Sequence, residues 1–233
     1  MKLFAEQGAT VILTDVDDKN GSKLADEIGP SAEFVKQDVS DEDSWKSLIS
    51  YVVEKYGKLN VLVNNAGIVV PGTIETQTTE DYRKIMAVSS DATFFGCKYA
   101  IDVMKLNGEP ASIINMASTA AVHGESNVLA YCGAKGSVEA MTRAVAVHCI
   151  RSDYPIRCNA ILPGTTLTPM VENIRSQMTG NKKVDYAPER YNPIKVGEAV
   201  DIANTVLFLA SDESKHLNGA SIRVDYGSTI TPR

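Results

Sequence analysis

The order of apolar segments constrains this 233-residue chain most: short β-branched runs alternate with longer stretches of helical spacing. Thr10-Val-Ile-Leu-Thr14, Glu33-Phe-Val-Lys-Gln37, Asn60-Val-Leu-Val-Asn64, Ser112-Ile-Ile-Asn-Met116, Ile156-Arg-Cys-Asn-Ala-Ile161 and Ser221-Ile-Arg-Val224 read as six strands. Asn20–Ile28 carries apolar residues four apart and stops at Gly29-Pro30. Ser40 with Asp43 resembles a helix start, and Trp45, Leu48, Ile49, Val52 and Tyr56 then keep helical spacing. Further helices are expected from Thr79 or Asp81 past Met104, and from Tyr131 to about Ile150. Strands of this kind separated by helices predict an α/β, Rossmann-like doubly wound parallel sheet with helices on both faces. The chain reads as a single domain, residues 1–233. Within it, residues 164–200, rich in Thr, Pro, Asn and charge, read as a substrate-binding loop or lid.

A doubly wound dinucleotide-binding sheet opens with a strand, a glycine-rich turn and a helix whose N-terminus faces the diphosphate. Here residues 2–7 read as the end of such a helix, terminated at Gly8, and no two of the 16 glycines form a Gly-x-Gly. The expectation is a fold lacking its first, central strand, with the sheet divided where that strand would sit.

The net charge is −6 and no long Lys/Arg run occurs, which disfavours nucleic acid and anionic membranes as partners. No apolar stretch reaches the roughly 18 residues of a membrane helix, and the first residues lack a signal-peptide core. Cys97, Cys132, Cys149 and Cys158 form no CxxC pair, and His123, His148 and His216 are scattered. No metal site is expected. The cysteines read as reduced and mostly buried in a cytoplasmic protein.

Four motifs fall in order on the expected elements. Asn64-Asn-Ala-Gly67 closes the third strand, Ser118 precedes Tyr131 by 13 residues, Tyr131-Cys-Gly-Ala-Lys135 opens a helix, and Cys158-Asn-Ala-Ile-Leu-Pro-Gly164 runs from a strand into a loop. Tyr131 and Lys135, four apart, share a helix face. A tyrosine titrates near pH ~10, and a neighbouring ammonium favours its phenolate.

From about Leu3 to Gly227 these motifs resemble the short-chain dehydrogenase/reductase family, in its single-domain branch, and are similar to its bacterial hydroxysteroid and cyclic-alcohol dehydrogenases. The resemblance implies hydride transfer between NAD(H) and a secondary alcohol or ketone, apolar and cyclic or steroid-like. Ser118, Tyr131 and Lys135 would be catalytic: Tyr131 moves the alcohol proton, Ser118 bonds the substrate oxygen, and Lys135 also binds the nicotinamide ribose. Cofactor contacts would come from Asp15, Asp38, Val39, Asn64, Ala66, Tyr131, Lys135, Pro163, Gly164, Thr166 and Thr168. Asp15, at the end of the first visible strand, favours NAD over NADP because a carboxylate there repels a 2′-phosphate. It reads equally as a turn residue beside Asp17 and Asp18, and Asp38 as a helix cap. Asp225-Tyr-Gly227 reads as a structural turn. Family members commonly form homodimers or homotetramers through the helices near residues 80–105 and 131–150.

Two departures stand out. Ser89 occupies the place of an asparagine that relatives use in a proton relay, and Gly133 stands mid-helix where alanine is usual. With the absent glycine-rich turn, Ser89 favours a rival reading: a catalytically impaired binding or scaffold protein. A mononucleotide- or phosphosugar-binding enzyme is a third reading, but leaves the Ser118–Tyr131 spacing unexplained.

Overall fold

The computed structural model describes residues 1–179 and 196–231. Its helices are α1 (Lys2–Glu6), α2 (Asp18–Ile28), α3 (Glu42–Tyr56), α4 (Thr79–Met86), α5 (Ala92–Met104), α6 (Leu129–Arg151), α7 (Pro169–Thr179) and α8 (Ala199–Ala210). Its strands are β1 (Val11–Asp15), β2 (Ala32–Lys36), β3 (Val61–Asn64), β4 (Ala111–Met116), β5 (Ile156–Pro163) and β6 (Ser221–Val224). Every expected strand forms, and every strand pair is parallel.

The strands make two sheets, β1-β2 and β3-β4-β5-β6. The division falls between β1 and β3, where the sequence reading puts it. Val11 and Asp15 bond towards β2, and Asn60 bonds towards β4. Backbone groups alternate sides along a strand, so those of Ile12, Thr14, Val61 and Val63 turn to the inner edges. Shared helices join the sheets. Phe4 of α1 packs against the α8 cluster under the larger sheet and the Val11–Leu13 cluster of the smaller one. On the opposite face, Trp45, Leu48 and Val52 of α3 gather Ile12 and Val35 with Leu62.

Strand periodicity sorts the core. In β4, Ile113 packs towards Cys97, Ala100 and Met104 of α5 and Ala146 and Cys149 of α6. Its neighbour Ile114 packs on the other face, towards Val206 and Leu209 of α8.

Three features differ from the sequence reading. The helix expected across residues 79–104 is interrupted by a π-helical turn, Ala87–Asp91, a wider turn that recurs at functional sites. The cap of α3 is Asp41, whose carboxylate accepts from Asp43 N at 3.1 Å, while Ser40 is engaged by Asp38. Helices α7 and α8 are not anticipated by the sequence pattern described above. The first lies inside the segment read as a loop. The second, Ala-Val-Asp-Ile-Ala-Asn-Thr-Val-Leu-Phe-Leu-Ala, is mostly apolar with a short polar side at Asp201, Asn204 and Thr205; a reciprocal Glu198–Asp201 capping box starts it.

Two glycines give opposite expectations. A Cβ on Gly96 would stand 2.2 Å from Asn64 Oδ1 and 2.9 Å from the Trp45 ring. One on Gly133, exposed in α6, would meet nothing within 4 Å. In urea melts, Gly96→Ala is expected to destabilise by about 1–3 kcal/mol, and Gly133→Ala to stabilise by about 0.5–1 kcal/mol. A destabilising Gly133→Ala would overturn this account of α6.

Candidate active site

Ser118 follows β4 in extended backbone and starts the short 3-10 turn Thr119–Ala121, accepting from Ala120 N at 3.2 Å. Tyr131 and Lys135 lie in the first two turns of α6. The helix brings Tyr131 towards Ser118, close enough for the serine hydroxyl to act on the phenol. That contact removes the rationale for the mononucleotide or phosphosugar reading.

Lys135 is 3 % exposed and donates from Nζ to the Met116 carbonyl at 2.7 Å. An ammonium has three donors, so two are left. Burial pushes its pKa down to about 8. Nζ lies 5.7 Å from the centroid of the Tyr131 ring. The Tyr131 phenol departs from the expected direction: burial raises its pKa, and the Ser118 hydroxyl opposes this. Removing the phenol from water outweighs an ammonium held over the ring.

The Asn64–Gly67 turn closes on the same lysine. A Cβ at Gly67 would stand 3.1 Å from Lys135 Nζ and 3.4 Å from Ser89 Oγ. Ser89 is fully buried in the π-helical turn, and its hydroxyl has no hydrogen-bond partner among the described residues.

Ser118, Tyr131 and Lys135 stand together on a cavity of about 520 Å³. Pro163, Gly164, Thr166 and Thr168 share it, so seven residues singled out from the sequence meet there. The cavity continues along Met170 and Val171, then Ile202 and Val206 of α8, to Leu3 and Phe4 of α1. An apolar chamber with a few convergent polar groups is the usual form of a small-molecule site.

Gly164 is required where it stands, since a Cβ would come 2.9 Å from Asp225 Cα. The Asp225 turn above it is internally braced: its carboxylate accepts from Gly227 N, Thr229 N and Thr229 Oγ1. Thr166 Oγ1 donates to Gly164 O at 3.1 Å, and Thr168 Oγ1 to Thr166 O at 3.4 Å.

The other singled-out residues lie outside this cavity. Asn64 turns into the core, where its amide donates to Asn115 Oδ1 at 2.8 Å. Ala66 is exposed. Asp15 is exposed at the end of β1 and accepts from Asp17 N at 2.9 Å. Asp38, beyond β2, accepts from Ser40 N and Oγ at 2.9 and 2.6 Å, which holds its carboxyl below the usual range. It is a turn residue, not the α3 cap. Val39 packs against Trp45, whose indole donates to its carbonyl at 2.8 Å. Of the expected lid 164–200, residues 180–195 lie outside the described residues.

Asn65, Gly67 and Met116 line the cavity without having been singled out. Side chains alternate at a strand end, and that signal could have separated Asn65 from Asn64. The Met116 contribution is a backbone carbonyl, which carries no sequence signal.

A family model described as enoyl-(acyl carrier protein) reductase matches residues 1–229. The chain belongs to the short-chain dehydrogenase/reductase family of oxidoreductases. It is 38% identical to the NADP-dependent (R)-specific alcohol dehydrogenase of Lentilactobacillus kefiri, over 97% of this chain and 89% of that protein. It is 37% identical to the 3-beta-hydroxysteroid dehydrogenase of Comamonas testosteroni, over 97% of this chain and 88% of that one. The crystal structure of levodione reductase superposes with a TM-score of 0.90 at 33% identity, covering 99% of this chain and 92% of that chain.

Lys135 ties this short-chain dehydrogenase/reductase fold to pH. Its folded pKa of about 8 lies below the unfolded value of 10.5, so the folded state binds fewer protons between them. Stability therefore rises as pH increases from about 8 to 10.5, and the buried ammonium costs stability below 8. Lys135→Met leaves Met116 O without its donor but removes that buried charge. It is expected to raise Tm at pH 7 and to flatten the rise between pH 8 and 10.5. A lowered Tm at pH 7 would show that the Met116 bond outweighs desolvation.

Proposed function

We propose that this chain transfers hydride between a nicotinamide dinucleotide and an apolar secondary alcohol or ketone, with Ser118, Tyr131 and Lys135 as its catalytic residues. Ser118 and Tyr131, meeting on the wall of one apolar cavity beside a buried lysine, carry this reading. The names of the relatives, an alcohol dehydrogenase, a hydroxysteroid dehydrogenase and a levodione reductase, support an alcohol or ketone substrate.

Ser118 Oγ and Tyr131 Oη hold the substrate oxygen between two donors. Tyr131 passes its proton to that oxygen in reduction and accepts it in oxidation. The two free donors of Lys135 suit the hydroxyls of a nicotinamide ribose, and its charge favours the phenolate once the phenol gives up its proton. Gly67 keeps the space beside the ammonium clear, since any side chain would crowd it. Asn65, Thr166 and Thr168 offer polar groups to the carboxamide end. The nicotinamide, when bound, supplies or accepts the hydride. The apolar wall from Met170 to Val206 takes the hydrocarbon body of the substrate, with α7 as the start of a cover over residues 164–200.

Towards the adenosine end, Asp15 bonds ribose hydroxyls and repels a 2′-phosphate, with Asp38 and Val39 beside the base; this favours NAD. The Lentilactobacillus kefiri relative is by name NADP-dependent, so the preference belongs to the local carboxylate. Copies of the chain pair through α5 and α6, where Phe94, Val147 and Ile150 are 50, 45 and 61 % exposed. The free thiols suit a reducing, cytoplasmic compartment.

One observation favours a second reading, a binding member without turnover: the sheet is divided and the sequence has no Gly-x-Gly for the diphosphate. Calorimetry with a turnover assay separates the two. Heat of NAD binding with turnover of secondary alcohols supports the enzyme, and absence of turnover, with or without NAD heat, supports the second reading.

In assays following NADH absorbance, Tyr131→Phe is expected to lower kcat by about 10²–10⁴-fold. Unchanged turnover would remove Tyr131 from the chemistry. Asp15→Ser is expected to lower the NAD-to-NADP ratio of kcat/KM, and an unchanged ratio would count against a cofactor role for Asp15.

A further inference from the structure

Three of the four cysteines lie in the core between α5, α6 and β5, away from the cavity described above. Cys97 and Cys158 approach the same amide: Asn115 Nδ2 is 3.7 Å from Cys97 Sγ and 3.5 Å from Cys158 Sγ. Cys97 Sγ also receives Asn64 Nδ2 at 3.6 Å, and Cys97 and Cys158 act on each other's titration. The competing acceptor, Asn115 Oδ1, is 3.7 Å from Cys97 and already holds Asn64 Nδ2 at 2.8 Å. Two side-chain amides therefore approach one sulfur, N–H contacts of the kind that stabilise a thiolate.

The neighbouring thiols diverge accordingly. Cys158 and those donors hold Cys97 below the ordinary thiol range despite its burial, whereas Cys158 is raised by Cys97 and by burial. Cys149, buried beside them, is pushed up to about 11. Cys97 also lines a cleft of about 590 Å³ between α5 and α6, with Thr93, Ile101, Met141 and Val145. A buried cysteine serving only as packing needs neither converging amide donors nor a route to solvent.

We propose that Cys97 and Cys158 form an oxidisable thiol pair, in which Cys97 attacks a hydroperoxide entering by this cleft and Cys158 closes a disulfide. The Cys97 thiolate sulfur bonds to one peroxide oxygen as the O–O bond breaks; the alkoxide or hydroxide leaves and takes up a proton. The Cys158 sulfur then attacks the sulfenic acid at Cys97, forming the S–S bond and breaking S–O, and water leaves with the Cys158 proton. Two thiols lose two electrons and two protons, and the peroxide is reduced to an alcohol, or to water when it is hydrogen peroxide, plus the water from the second step. Cys132 is the natural competitor: it is half-buried, and its thiol donates only to Glu125 O, at 3.7 Å.

Hydrogen peroxide is the probe, because pairing of copies across α5 and α6 would narrow the cleft and exclude larger reagents. Purified full-length chain is treated, denatured, alkylated and digested. The expected result is loss of two of four alkylatable thiols, an intact mass lower by about 2 Da, a Cys97–Cys158 cross-linked peptide, and reversal by dithiothreitol. In Cys158→Ala, a dimedone-reactive sulfenic acid is expected at Cys97. Oxidation confined to Cys132, a cross-link that includes Cys132, or four unchanged thiols would overturn the proposal. These readouts do not depend on turnover.

Discussion

The hydrogen bond from Lys135 Nζ to the Met116 carbonyl joins the first turns of α6 to the end of β4, and the site is arranged around it. A lysine with one acceptor and almost no water is an expensive arrangement for a fold, since an ammonium is far better solvated outside. Its persistence shapes its surroundings. Gly67 must lack a side chain, the Asn64–Gly67 turn must end where it does, and α6 must start close enough for Tyr131 to meet Ser118. The two donors left on Nζ are then directed at the cavity. The same burial that depresses the lysine pKa raises that of the phenol, so it favours the uncharged form of both side chains.

A divided sheet would ordinarily be a weak platform for such a site, because each inner edge exposes unpaired backbone groups. Here the helices on both faces span the division. Phe4 touches both sheets on the α8 side, and Trp45 draws Ile12 and Leu62 together on the α3 side. The site residues avoid the weak point. Ser118, Tyr131, Lys135 and the Pro163–Thr168 loop all hang from β4, α6 and β5, inside the four-stranded sheet. Only Asp15, Asp38 and Val39 stand on the two-stranded side, so a dinucleotide would have to reach across the division to meet them.

All six strands and their parallel order were legible because β-branched runs bounded by turn residues leave little ambiguity. The division was legible too, from the absence of a Gly-x-Gly before Val11. Helix α8 was missed because its polar stripe is short, only Asp201, Asn204 and Thr205, and exposed Val200 and Phe208 blur its contrast with Ile202, Val206 and Leu209 facing the sheet. The π-helical turn was invisible because its cause is tertiary, the seating of Ser89 and Ser90 against Gly67 and Ser137. In the site, the Ser118–Tyr131–Lys135 set could be read from spacing. Asn64 was read as facing a ligand, whereas its amide pins β3 to β4 through Asn115. Only packing against Gly96 decides which way it turns.

That pin connects the two chemistries of the molecule. Asn115 accepts from Asn64, donates to Thr142 Oγ1 at 2.9 Å, and reaches both Cys97 and Cys158. Asn64 immediately precedes Asn65 and the turn that closes on Lys135, and Asn115 immediately precedes Met116. A change in the charge or bonding of Cys97 must therefore be met by the two amides that set the ends of β3 and β4. Buried polar networks gain their strength from the low dielectric around them, and for the same reason they transmit the loss of one acceptor to its neighbours. The sulfur pair lies one residue, by way of each asparagine, from backbone that holds the lysine. Asn115 thus ties the sulfur pair to the residue before the Met116 carbonyl that holds the lysine, through hydrogen bonds already present.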